Sequence, residues 1–61
     1  MSKTYRLNRD FALVCDTDNY ILKVIMIGVP FEPVIEEVRC GSSEEANDAF
    51  KALRLKYKEV V

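Results

Sequence analysis

The sequence predicts an α+β fold: a small antiparallel sheet of three or four strands, covered on one face by a C-terminal helix in a βββα-like order. Three observations predict it. Two apolar runs, Phe11–Cys15 and Tyr20–Ile27, are separated by Asp16-Thr17-Asp18-Asn19, residues that favour a turn between paired strands. The segment from Ser42 onward carries helix-start chemistry and then apolar residues at helical spacing. The whole chain has 61 residues, enough for one domain (1–61) with a thin core.

The first element is weak. Thr4 to Leu7 alternates, with Tyr5 and Leu7 on one side, and reads as a short strand. Asn8-Arg9-Asp10 follows as a polar turn, because Asn and Asp side chains bond nearby backbone groups. It either closes a hairpin or interrupts a longer strand. Phe11 to Asp16 is a clearer strand, with Phe11, Leu13 and Cys15 on one face and Ala12 and Val14 on the other.

Tyr20 to Gly28 is expected to be the central strand. Tyr20, Leu22, Val24 and Met26 share one face; Ile21, Lys23, Ile25 and Ile27 share the other. Both sets are mostly apolar, and one helix covers only one of them. Which face it covers is left open. The Pro30-Phe31-Glu32-Pro33 stretch ends the strand, since proline donates nothing to a ladder. Phe31 is either a loop anchor or an exposed contact.

Val34 to Cys40 reads two ways. As a strand it places Val34, Glu36, Val38 and Cys40 on one face; as a short helix it has Pro33 at its start and Gly41 past its end. Its β-branched content favours the strand. The last helix is clearer. Ser42 is the N-cap with Glu45 three residues on, Glu44, Glu45 and Asp48 lie early, and Lys51 to Lys58 lie late, as the helix dipole favours. Ala46, Ala49, Phe50, Leu53 and Tyr57 form its apolar stripe, which Val60 extends, while Leu55 falls outside it.

Chemistry is constrained by what is missing. The chain has no His, so the usual base near neutral pH is absent, and its two Cys fall short of a four-ligand zinc site. Ser42 and Ser43 are accounted for as helix caps. Cys15 shares a face with Phe11 and Leu13 and reads as an apolar filler. Cys40, just before Gly41 and a helix start, is the one thiol whose setting favours reactivity. Asp16-x-Asp18-Asn19 opens like a calcium loop, but Tyr20 occupies the next ligand position, so a turn is preferred. No Gly-rich phosphate loop exists. An enzyme is not expected, nor is any cofactor or metal.

The Met-Ser-Lys start leads into charge rather than an apolar run, and no segment approaches the length of a membrane span. A cytoplasmic, reducing setting with free thiols is expected. A domain this small needs a staple, and a partner subunit is the one left. The expectation is therefore a non-enzymatic interaction module, an adaptor, inhibitor or assembly subunit. It would form a homodimer, or dock a larger protein, through the apolar sheet face that the helix leaves free. If the helix covers the Leu22 face, Ile21, Ile25 and Ile27 are the contact set, helped by Ala12 and Val14. The competing picture is a monomer in which the Phe31 loop covers that face.

The alternative function is a small nucleic-acid-binding regulator. Net charge is −1, but nine of the ten acids lie between residues 10 and 48, and the cations gather at the ends. Lys51, Arg54 and Lys58 fall near one helix face, and Lys3, Arg6 and Arg9 form a basic arm; phosphates are bound by such clusters. A helix-turn-helix about Gly41 fits poorly, because Glu44 and Glu45 would meet phosphate with like charge.

Overall fold

Four strands and one helix follow in chain order: β1 (Ser2–Arg6), β2 (Phe11–Asp16), β3 (Ile21–Met26), β4 (Val34–Arg39) and α1 (Ser43–Lys56). The computed structural model describes residues 1–58. The strands form one antiparallel sheet in the order β1-β2-β3-β4, each paired with its sequence neighbour. The expected α+β architecture holds, with the weak N-terminal strand present. Residues 34–39 are strand, so the Gly41 helix pair is not formed. The expected extension of the helix stripe at Val60 lies outside the described residues.

Each connection has a local cause. At the first turn, the Asn8 Oδ1 accepts from the backbone N–H groups of Asp10 (2.8 Å) and Phe11 (2.9 Å). Asn8 therefore closes a hairpin rather than interrupting a strand. At the second, Asp16 plays the same part: its Oδ1 accepts from the Asp18 N–H and its Oδ2 from the Asn19 side chain. Both carboxylate oxygens of Asp16 are thus occupied by turn formation, and the Asp18 carboxylate pairs with the N-terminal ammonium of Met1. Bonds from the Asn19 side chain, then from the Asp18 and Asn19 backbone, hold the Asp16 carboxyl below its usual range. Tyr20 closes this turn at φ 55, and Ile21 begins the strand.

The helix covers the face carrying Leu22 and Val24. Leu13 and Val24 face each other across β2 and β3, as do Cys15 and Leu22. Leu13, Leu22, Val24 and Leu53 make the buried cluster, ringed by Phe11, Cys15, Val38, Ala46, Ala49, Phe50 and Tyr57. The predicted helix stripe is the stripe that packs. Leu53 is its one fully buried member, and the off-stripe Leu55 is 77% exposed.

The Ser42 Oγ accepts from the Glu45 N–H at 3.2 Å, as a capping residue should. The Glu45 carboxylate reaches back one residue further than in the usual box, to the N–H of Gly41. The far end of the helix is tied to the first turn. Asn8 Nδ2 donates to the Tyr57 carbonyl at 2.6 Å, across 49 residues of chain. One side chain thus fixes a turn and occupies a helix-end carbonyl.

β4 departs from the expected face pattern. Val24 pairs with Glu36 but Ile25 pairs with Val34, so Ile35 is an extra residue in the ladder. This bulge turns Val34 to the side of Ile25, while Glu36 and Val38 stay on the helix side. The four residues Val34, Glu36, Val38 and Cys40 therefore do not share one face.

Glu36 is used on the helix side. It accepts from Lys56 Nζ and from Tyr57 Oη, each at 2.7 Å. The Lys56 bond, and then the Tyr57 bond, hold its carboxyl below the ordinary 4.5; the same bond holds the Tyr57 hydroxyl above its ordinary 10.0. A lowered carboxyl stabilises the fold above its unfolded pKa, and that contribution is lost as pH falls through the folded value. A raised phenol contributes below about 10 and loses its contribution as pH rises through the folded value. Thermal melts of Glu36→Gln should therefore fall less than wild type between neutral pH and pH below 4.5. Parallel acid limbs for the two proteins would contradict this role.

Candidate functional site

Three surfaces remain once the core is accounted for: an apolar groove near Cys15, the open face of the sheet, and a basic groove beside the helix.

The first groove, of about 330 Å³, lies between the start of the helix and the sheet. Tyr5, Cys15, Tyr20, Leu22, Ala46 and Phe50 line most of it. The Tyr5 and Phe50 rings meet edge to face at 4.9 Å. Burial pushes the Cys15 thiol up, which disfavours the thiolate a nucleophile needs. This is the filler role expected for Cys15. Cys40 is also free and half-buried, packed against the core cluster. Among the described residues, no group of three or more Cys, Asp or Glu is arranged to hold a metal ion.

The open face is set by strand alternation and register. Opposite the helix, β2 presents Ala12, Val14 and Asp16; β3 presents Ile21, Lys23 and Ile25; β4 presents Val34, Glu37 and Arg39. Thr4 joins from β1, whereas Arg6, at the end of that strand, lines the basic groove beside the helix. Ala12, Val14, Ile21 and Ile25, singled out from sequence, lie on this side by register, but Ala12 is buried at 3% exposure, so only Val14, Ile21 and Ile25 offer surface for contact. Ile27 lies beyond the end of β3, where its N–H donates to the Asp10 carbonyl at 2.8 Å. Val34 joins the set only because of the bulge, which no local sequence signal marked. Phe31 is 91% exposed, so it does not fold down as a lid.

Charge on this face is mixed. Lys23 stands opposite Glu37 in the ladder, and Arg39 Nε donates to Glu37 Oε2 at 2.8 Å. The Arg39 bond and charge, and then the Lys23 charge, hold the Glu37 carboxyl below its ordinary range. Apolar residues thus alternate with an ionic row rather than forming a continuous greasy sheet.

The basic groove encloses about 490 Å³ between the end of β1 and the second half of α1. Its lining is Arg6, Leu7, Lys51, Arg54, Leu55 and Lys58. Lys51, Arg54 and Lys58 therefore do share a surface, and Arg6 joins them. Of the basic arm, Lys3 and Arg9 take no part in the lining. Arg6 is held by the backbone: its Nε donates to the Asn8 carbonyl at 2.8 Å and its Nη2 to the Arg9 carbonyl at 3.1 Å. Arg54 lies 5.6 Å from the centre of the Phe50 ring, within cation–π range. The ion pairs among the described residues leave all four cations out.

No helix among the described residues is long and apolar enough to cross a membrane. No family model, curated protein or solved structure matches the chain.

Proposed function

We infer that this protein is a non-enzymatic interaction module that pairs with a second copy of itself, sheet against sheet, in a cytoplasmic setting where both thiols stay free. The observation that carries this reading is the one-sided cover. A single helix shields the Leu22 face, while Val14, Ile21 and Ile25, half-buried, and Val34, exposed, lie on the face it leaves bare.

Self-pairing is favoured over another partner by the charge pattern. The open face carries Lys23 and Arg39 together with Asp16 and Glu37. A twofold interface presents one patch to itself, so a patch of one sign would repel its copy. A patch of both signs can place Glu37 of one chain against Lys23 or Arg39 of the other. Size is compatible. The two longer dimensions, 31 and 26 Å, give a broad face projecting at most about 800 Å², the per-partner share of a standard interface. The ionic row argues for a reversible dimer, since each charge must be desolvated to close the contact.

Ile25→Lys tests the reading. Ile25 is half-buried on a central strand, and the twofold brings each substitution into the interface twice. Dimer affinity should fall by about a hundredfold or more, because like charges then meet across the contact. Size-exclusion chromatography with light scattering should give a folded monomer where wild type gives a dimer. A folded Ile25→Lys protein of wild-type mass would refute the reading.

A further inference from the structure

We propose that the basic groove between the end of β1 and the second half of α1 binds an acidic, leucine-bearing segment of a protein partner, laid in extended form along the β1 edge. The site is separate from the open sheet face and does not depend on dimer formation.

Among the described residues, the groove gathers like charge without a counter-charge. Arg6, Lys51, Arg54 and Lys58 line it, and among the described residues no carboxylate does. The helix dipole accounts for Arg54 near the C-terminal end. That effect fades within the last turn, so it favours Lys51 little, and it does not account for Arg6 from a different element or for their convergence. Four cations along one groove raise each other's energy, and an anionic occupant relieves this. Two of them are already positioned, Arg6 by the Asn8 and Arg9 carbonyls and Arg54 by the Phe50 ring. Less side-chain freedom is then lost when an anion arrives.

Leu55 decides what kind of anion. It is 77% exposed, and with Leu7 it gives the basic groove an apolar lining. A phosphate backbone satisfies the cations but has no use for leucine. Nucleic-acid grooves of this kind add aromatic rings on which bases stack, and among the described residues no ring lines this one. A peptide that combines carboxylates with apolar side chains satisfies both parts. The backbone supplies the remaining term. Arg6 ends an edge strand, and the side of β1 away from β2 is not paired within the sheet. An added strand takes its main-chain bonds from such an edge and its selectivity from alternate side chains.

The test is fluorescence anisotropy with the whole chain and three labelled probes. They are a short peptide alternating Glu and Leu, an all-Glu peptide of equal length, and a single-stranded oligothymidylate. The Glu/Leu peptide should bind about tenfold or more tighter than the all-Glu peptide. Leu55→Ser should remove that margin, and Lys51→Glu with Arg54→Glu should abolish binding of both peptides. Ile25→Lys should bind like wild type, so failure of the dimer reading and failure of this one can be told apart. All three altered side chains of the groove are exposed, and circular dichroism checks that each variant folds. Tightest binding by the oligothymidylate, unaffected by Leu55→Ser, would overturn the proposal in favour of nucleic acid. Absence of binding by every probe at low salt would overturn it outright.

Discussion

Leu53→Ala is expected to leave the chain largely unfolded at room temperature. Leu53 is 4% exposed and is the only fully buried residue the helix contributes. It sits on Leu13, Leu22 and Val24, which complete the buried cluster. Truncating a core leucine costs about 2–5 kcal/mol, the removed methyl groups plus the cavity left behind. A domain of this size rarely has more than about 3–5 kcal/mol in total. Collapse of the sheet into the cavity offers little relief, because neighbouring strands are fixed in register by their ladders. Leu55→Ala, two residues away but exposed, should change stability by less than about 0.5 kcal/mol. Urea unfolding followed by circular dichroism measures both. A Leu53→Ala protein with a wild-type midpoint would mean that the helix is not what closes the core.

Asn8→Ala should cost about 2 kcal/mol, the next largest effect. The substitution removes one donor to the Tyr57 carbonyl and one acceptor serving two backbone N–H groups. Each net bond is worth about 0.5–1.5 kcal/mol, and the abandoned backbone groups add a desolvation cost where water cannot reach them. Asn8→Asp separates the two roles. It keeps the acceptor and hence the turn, loses the donor, and places a negative charge beside the negative end of the helix. Its deficit should be smaller than that of Asn8→Ala when the new carboxyl is protonated, and should grow as pH rises through its titration. Equal unfolding midpoints for Asn8→Ala and wild type would show that the turn and the helix end hold without this side chain.

Asn8 also shows where sequence reasoning stops. Its turn chemistry is local and legible, since an Asn followed by a charged pair between strands bonds its own backbone neighbours. Its bond to Tyr57 is not, because nothing near either residue says that a helix end will be delivered there. β3 carries the same limit in another form. Alternation divided Ile21, Lys23 and Ile25 from Leu22 and Val24, but both sets are apolar enough to attract a helix. What selects the Leu22 side is the company each face keeps across the register: Leu13, Cys15 and Val38 on one side, Glu37 and Arg39 on the other. The charged pair becomes visible only once β4 is known to be a strand paired with β3.

The helix was the most legible element, because capping, charge order and stripe all agree there. Lys51, Arg54 and Lys58 share a helix face by spacing alone. Arg6 meets them only through the return of the helix across the sheet, and Leu55 gains meaning only from that meeting. The bulge at Ile35 left no signature, yet it decides that Val34 stands on the open face. Bulges are fixed by ladder geometry on two strands at once, which a single run of side chains does not encode.

The most direct measurement of the central claim is a dilution series of amide and methyl NMR spectra of the wild-type chain. Pairing through the open face predicts concentration-dependent shifts concentrated at Val14, Ile21, Lys23, Ile25 and Val34, while Leu13, Val24 and Leu53 stay unmoved. Spectra that do not change with concentration, or shifts centred instead on Phe31 or Leu55, would contradict it.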